Sequence, residues 1–193
     1  MANLKFGKET IALLVIDPYN DFISEGGKIW GRIRAVAEAN DCVPHMLLVL
    51  NAALRVFYAL LHRYLQATTR PGSVLLRFRK RPGRIRSSKW ARGGGEIRRG
   101  FEPQPRDIVA LEHWCSSGFA NTDLDLQLKK HGIQELIVIG LIAHTCMEAM
   151  FRFAAELGYE VAMVKDATAD FSDEEIHAAV DINMPYHASG DSK

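Results

Sequence analysis

The sequence predicts a doubly wound α/β domain, in which a mostly parallel sheet of five or six strands carries helices on both faces. Two observations lead to this prediction. Short runs of β-branched and aliphatic residues alternate along the chain with segments of helical period. These runs are apolar throughout, as is typical of parallel strands buried on both sides. The chain has 193 residues, 48% of them hydrophobic, so we expect one domain spanning residues 1–193 with a sizeable core.

The elements follow in order from the apolar pattern and its flanking residues. The predicted strands are Ile11 to Ile16, Arg55 to Leu60, Ile108 to Leu111, Leu136 to Gly140 and Glu160 to Val164. The predicted helices are Ile33 to Leu54, a helix opened by Asn121 to Leu124, Thr145 to Leu157, and a last helix from Ser172 to about Asn183. Asp17 and Pro18 end the first strand, Gly158 ends the third helix, and Ser172 is a capping residue.

Composition excludes several classes of function. The net charge is +1, which gives no global signal for nucleic acid or an anionic membrane. No apolar run approaches the length of a membrane span, and the first ten residues lack the pattern of a signal peptide. The three cysteines show no spacing of a disulfide framework or a structural zinc site. We therefore expect a cytoplasmic protein with a small-molecule substrate, no nucleic-acid partner and no membrane partner.

Three ionisable residues lie at or just beyond predicted strand ends. Asp17 follows the first strand, Glu112 the third and Cys146 the fourth. In a doubly wound sheet, ligands bind beyond the carboxyl ends of the strands, so these side chains are expected to converge. Taken singly, Asp17 could be a turn residue before Pro18, Glu112 an exposed acid and Cys146 a buried structural cysteine. Taken together, they form a candidate nucleophile with its base.

Cys146 has the position of a nucleophile because it lies where a strand passes into a helix. The helix dipole and the free N–H groups of a first turn favour a thiolate there. We therefore expect the pKa of the Cys146 thiol to be lowered.

Four segments carry a resemblance to a known family. They are Leu14 to Phe22, Ser117 to Leu124, Gly140 to Met147, and Gly158 to Ala167. In this order, and over about two-thirds of the chain, they resemble the isochorismatase-like cysteine hydrolases, which include nicotinamidases, other small amidases and isochorismatase. The resemblance implies a Rossmann-like three-layer fold and a homo-oligomer.

The resemblance also implies an Asp–Lys–Cys site. Asp17 would take the thiol proton as general base, and Cys146 would form a thioester. A cis peptide between Leu141 and Ile142 would direct the N–H of Ile142 toward an oxyanion hole that it shares with the N–H of Cys146. The candidate pocket residues are Phe22, Trp30, Trp114, Phe119 and His144; for the four aromatic residues, ordinary core packing is an equally good interpretation.

The chain departs from the family at two points. Glu112 stands where relatives have the lysine, so its role in the site is open, and His113 or His144 could supply a positive charge instead. Nicotinamidase-type members bind a metal through an Asp-x-His arrangement, and here no Asp precedes His62 by two residues. We therefore expect no metal and no other cofactor.

The segment at about 65–95 is strongly basic. Residues 66–95 hold nine Lys or Arg and no Asp or Glu. It could be a real basic loop for phosphate or nucleic acid. Alternatively, residues 66–73, back-translated and shifted by one base, encode Pro-Gly-Asp-Tyr-Glu-Thr-Trp-Lys, which suggests a compensated frameshift that the coding DNA would reveal. The C-terminal strand is also predicted to be truncated, which would leave the fifth strand as an edge.

These observations predict a hydrolase that cleaves the C–N bond of a small amide through Cys146. Two alternatives stay open. One is an isochorismatase-type vinyl-ether hydrolase, in which Asp17 acts as an acid and no nucleophile is needed. The other is a catalytically impaired homologue that acts as a binding or interaction protein, which the loss of the lysine favours.

Overall fold

The computed structural model describes residues 7–60, 95–111, 113 and 115–188. In these residues, five parallel strands form one sheet in the order β3-β2-β1-β4-β5. The strands are β1 (Ile11–Ile16), β2 (Val56–Ala59), β3 (Ile108–Val109), β4 (Glu135–Leu141) and β5 (Glu160–Ala169). The predicted doubly wound parallel sheet is confirmed. The basic segment at about 65–95 lies outside the described residues, except for Gly95.

Six α-helices lie in the described residues. They are α1 (Asn20–Ile23), α2 (Trp30–Ala39), α3 (Cys42–Ala52), α4 (Leu124–Lys130), α5 (Glu148–Glu156) and α6 (Asp173–His177). The single helix predicted from Ile33 to Leu54 is two helices, because Asp41 adopts a left-handed φ of 52° between them.

Two of the predicted helices contain wider turns. A π-helical turn at Ala143–Met147 precedes α5, and another at Ala178–Asn183 follows α6 before a short 3₁₀ turn at Met184–Tyr186. Ser172 caps α6 as predicted, because its side-chain oxygen accepts the N–H of Glu175 at 3.2 Å. None of the helices in the described ranges has the length and apolar character needed to span a bilayer.

The core lies on both faces of the sheet. Along β1, Leu14 and Ile16 pack with helices α4 and α5, whereas Leu13 and Val15 pack with helices α2 and α3. This alternation buries the whole strand after Ile11, which explains its continuous apolar run.

The chain order of the strands creates a switch point between β1 and β4. From β1 the sheet grows to β2 and β3 on one side, and to β4 and β5 on the other. The connections leaving β1 and β4 therefore diverge, and the carboxyl ends of these two strands are where doubly wound proteins bind ligands.

Candidate active site

Asp17 lies at this switch point, directly after β1. It is completely buried and has a left-handed φ of 50°, a conformation that Asp tolerates better than most residues. Its N–H donates to the carbonyl of Ala59 at 3.2 Å, and its carbonyl accepts the N–H of Tyr19 at 2.7 Å. These contacts fix the backbone of Asp17 against the end of β2.

The neighbouring strand β4 ends in an unusual backbone. Gly140 pairs with Ile16 and has a φ of 130°, and a side chain there would run into the carbonyl oxygen of Ile16. The Leu141–Ile142 peptide bond is cis, as expected from the resemblance. The carbonyl of Ile142 then accepts the N–H of Met147 at 3.2 Å, which closes the π-helical turn that carries Cys146.

Cys146 is partly buried and its sulfur has three polar neighbours. The Ile142 N–H and the Thr145 hydroxyl act to lower the pKa of the thiol, and the Thr145 hydroxyl also donates to the Ile142 carbonyl at 3.4 Å. The third neighbour is the Asp17 carboxylate, whose negative charge raises the pKa of the thiol. The structure thus brings together Asp17, Cys146 and the backbone N–H of Ile142.

The expected lowering of the Cys146 pKa is wrong. Burial and, next in size, the negative charge of Asp17 raise the pKa of the Cys146 thiol well above its usual value. The hydrogen bonds from Thr145 and Ile142 act in the opposite direction but are smaller. The thiol is therefore the resting form, and a nucleophile can form only if a base removes its proton.

His113 is the second buried ionisable residue that faces Asp17. Its Nε2 atom lies 3.4 Å from Oδ1 of Asp17, and both side chains are fully buried. The backbone N–H of His113 donates to the carbonyl of Leu60 at 2.9 Å, so His113 is held beside the end of β2. The site thus contains two buried titratable side chains in contact, Asp17 and His113.

Glu112 and Trp114 lie outside the described residues, so their predicted roles stay predictions. The other predicted pocket residues do not share one location. Phe22 is buried on the helix α2 and α3 face of the sheet, and Trp30 packs there while partly exposed. Phe119 is buried on the opposite face, where its ring stacks with Phe153 at a centroid distance of 6.4 Å.

His144 is held by a buried carboxylate rather than by the Cys146 sulfur. Its Nδ1 atom lies 2.7 Å from Oδ1 of Asp170, and its backbone N–H donates to Oδ2 of the same residue at 2.8 Å. In the part of the chain that the structure describes, His144, Asp170 and Glu175 are also the one group close enough to hold a metal ion. Hydrogen bonds from His144 to both Asp170 oxygens account for the close approach of these two residues.

The sequence does not single out Thr145, Gly140 or Asp170. Gly140 and Asp170 nevertheless share a signal with Asp17, since each lies at the end of a strand.

An open groove lined by Cys115, Ser116, Arg152 and Phe153, among others, runs along α5; neither Asp17 nor Cys146 lines it.

Comparison with known proteins points to one family. The sequence of residues 11–186 matches the protein-family model of the isochorismatase domain. Ureidoacrylate amidohydrolase RutB of Agrobacterium fabrum is 28% identical over 189 residues, which cover 90% of this chain and 82% of RutB. The isochorismatase family protein YddQ of Bacillus subtilis is 40% identical over 76 residues, which are 39% of this chain and only 42% of YddQ.

A solved structure shows the same fold. N-carbamoylsarcosine amidase from Thermoplasma acidophilum superposes with a TM-score of 0.63 at 24% identity, over 90% of this chain and 92% of that chain. Together with a domain match that spans nearly the whole described chain, the sheet and its switch point establish that this protein belongs to the isochorismatase-like hydrolase superfamily.

Proposed function

We propose that this protein is a cysteine hydrolase that cleaves the C–N bond of a small amide or ureido compound through a thioester on Cys146. The observation that carries the proposal is that the buried Asp17 carboxylate lies close enough to the Cys146 thiol to raise its pKa. A nucleophile with a base beside it is the arrangement that covalent catalysis requires.

The proposed reaction begins with proton transfer from Cys146 to Asp17. The S–H bond breaks as the sulfur attacks the acyl carbon, and the carbonyl oxygen becomes an oxyanion near the N–H of Ile142. When this intermediate collapses, the C–N bond breaks and Asp17 returns the proton to the leaving nitrogen. Water, deprotonated by Asp17, then hydrolyses the thioester and restores the thiol.

The raised pKa of Cys146 supports a role for Asp17 in this step. Because the resting group is a thiol, an unassisted attack would be slow at neutral pH. A carboxylate beside the thiol can remove the proton during the attack, and so a permanently ionised cysteine is not needed.

Relatives suggest the substrate class. RutB is named for the hydrolysis of ureidoacrylate and the Thermoplasma enzyme for N-carbamoylsarcosine, and both compounds carry a ureido group. We therefore propose a small ureido or carboxamide compound, which would release ammonia from its terminal amide nitrogen. A cytoplasmic location and a homo-oligomeric state stay predictions for this chain.

The experiment that tests the proposal is an assay of ammonia release from a panel of small ureido and carboxamide compounds. We expect release by the wild-type protein and by Cys115→Ser, whose cysteine is exposed and lies outside the proposed chemistry. Cys146→Ser should release none above background. A variant at Cys146 that works as well as the wild type would contradict the proposal.

The raised thiol pKa also favours a second candidate, the vinyl-ether hydrolase, because that reaction uses Asp17 as an acid and leaves the sulfur protonated. The same variants separate the two. If the protein is an ether hydrolase, Cys146→Ser should keep its full activity on vinyl ethers. If the protein is an amidase, Cys146→Ser should have no activity on amides. A folded protein that hydrolyses neither class of compound would support the binding-protein alternative.

A further inference from the structure

Asp170 links the end of strand β5 to the turn that carries Cys146. It directly follows β5 and is completely buried. Because Leu141 pairs with Ala169, the sheet brings Asp170 alongside Ile142, where the turn begins. The Asp170 carboxylate is therefore next to the residue whose N–H is proposed to stabilise the oxyanion.

The carboxylate of Asp170 accepts hydrogen bonds from this turn. Oδ2 accepts the backbone N–H of His144 at 2.8 Å, and Oδ1 lies 2.7 Å from Nδ1 of the same residue. Oδ1 also accepts the N–H of Phe171 at 2.8 Å, which fixes the carboxylate itself. Burying a carboxylate costs free energy unless it is hydrogen-bonded, and these three contacts meet that requirement.

The turn needs such a partner because the first N–H groups of a helical segment find no acceptor within it. The carbonyl of Ile142 accepts the N–H groups of Thr145 and Met147, both at 3.2 Å. The N–H of His144 is bonded instead to Asp170, which comes from another strand. A negative charge is also favourable at the start of a helix, so Asp170 caps the turn.

The same turn carries both groups that act on the acyl carbon in the proposed reaction. The N–H of Ile142 lies at its start, and the sulfur of Cys146 lies near its end. We infer that Asp170 is a positioning residue, which holds the turn in the shape that lets this N–H and this sulfur act on one carbonyl group. The inference rests on the proposed function, since this shape matters for catalysis only if Cys146 forms a thioester.

The ring of His144 contributes to the positioning through Nδ1. Nδ1 and Oδ1 of Asp170 share one hydrogen bond whichever of the two atoms carries the proton, so the contact does not depend on the charge of the ring. An Asn side chain places its amide group near the position of Nδ1 and can form the same bond. His144→Asn and His144→Ala therefore separate this contact from the rest of the ring.

The first test compares two buried carboxylates at opposite edges of the sheet in the ammonia-release assay. Asp170→Asn replaces an acceptor oxygen with an amide group that only donates. We expect kcat to fall on the order of 10²-fold with little change in KM, because the reacting groups lose their alignment and the substrate still binds. Wild-type kcat in folded Asp170→Asn would overturn the inference.

Asp107→Asn is the matched control for this test. The Asp107 side chain is 3% exposed and accepts the backbone N–H of Gln104 at 2.7 Å. It directly precedes β3, at the edge of the sheet opposite to the site. Its loss should lower stability without changing kcat, so an equal loss of kcat in both variants would reduce Asp170 to a merely structural residue.

The second test uses the histidine variants. His144→Ala removes the bond to Oδ1 and should lower kcat about tenfold, whereas His144→Asn should keep most of the wild-type rate. His177→Ala, which removes an exposed histidine paired with Asp181, should behave as the wild type does. If His144→Asn is as slow as His144→Ala, the ring acts in some other way and the positioning role fails.

Alkylation of Cys146 with iodoacetamide reports on the turn without a substrate. The Ile142 N–H and the Thr145 hydroxyl lower the pKa of the thiol, and both belong to the turn. A loosened turn should weaken these contacts, so the labelling midpoint of His144→Ala should move to higher pH while that of His144→Asn stays at the wild-type value.

The alkylation result distinguishes failure of this inference from failure of the proposed function. Equal midpoints in wild type, His144→Ala and Asp170→Ala would overturn the positioning of the turn, whatever the activity of the protein. If the shift in His144→Ala is found and no amide or ureido compound is hydrolysed, the proposed function fails while the hold of Asp170 on the turn is supported.

Discussion

Replacement of Asp17 by Asn should slow amide hydrolysis by about 10²–10⁴-fold, the contribution typical of a general base. Asn has nearly the same shape as Asp and tolerates the left-handed backbone at this position, so the fold should be preserved. The assay is ammonia release under saturating substrate, with a thermal melt to confirm that the variant is folded.

The same substitution should make Cys146 easier to ionise. The negative charge of Asp17 is one of the two largest causes that raise the pKa of the thiol, and Asn removes it. The midpoint of iodoacetamide labelling at Cys146 should therefore shift to lower pH while hydrolysis falls. These opposite changes are expected of a base and not of a merely structural carboxylate.

Two internal controls support this measurement. Cys42 is fully buried, and burial raises the pKa of its thiol to about 12, so it should stay unlabelled while the protein is folded. Asp166→Asn removes a half-exposed carboxylate near His45 and should leave the Cys146 midpoint unchanged. An Asp17→Asn variant with wild-type hydrolysis would contradict the assignment of the base.

Replacement of Gly140 by Ala should destabilise the protein by about 3–5 kcal/mol, since strain and overpacking add at this position. Gly140 has a φ of 130°, and an added methyl group would overlap the backbone of Ile16, its partner on β1. Relief would require β1 and β4 to separate at the point where they position Asp17 and Ile142. The measurement is the free energy of unfolding from urea denaturation.

Gly31→Ala is the matched control for this prediction. Gly31 lies in α2, and an added methyl group there meets no atom within 4 Å. This variant should be as stable as the wild type or more stable by up to about 1 kcal/mol. If Gly140→Ala unfolds at the same urea concentration as Gly31→Ala, the tight approach of β1 and β4 is not a structural requirement.

Much of the fold could be predicted because its signals are local and repeated. The run from Ile11 to Ile16 is strand β1 with the predicted bounds, and its apolar character follows from burial on both faces. The break at Asp41 could not be predicted, because apolar spacing continues across it and a single left-handed residue ends the helix. The length of β5 was also underestimated, since polar residues enter its second half.

The sequence predicts where the site lies in the fold, but it does not predict how the site shifts the pKa of Cys146. The alternation of strands and helices predicts a parallel sheet whose carboxyl ends share one edge, so the meeting of Asp17 and Cys146 could be expected. The sign of the Cys146 pKa shift could not, because it depends on how deeply the thiol is buried and on its contact with Asp17. The same holds for the place of His113 in the site, because it depends on a through-space contact with Asp17, a residue 96 positions away in the sequence.

Trapping the acyl-enzyme is the decisive test of covalent catalysis by Cys146. Wild-type protein is mixed with a hydrolysed amide or ureido substrate, quenched in acid and digested, and the peptides containing Cys42, Cys115 and Cys146 are compared by mass spectrometry. We expect the acyl group of the substrate on the Cys146 peptide alone, and we expect hydroxylamine to remove it. Substrate turnover with no acyl group on that peptide, together with wild-type turnover by Cys146→Ala, would contradict it.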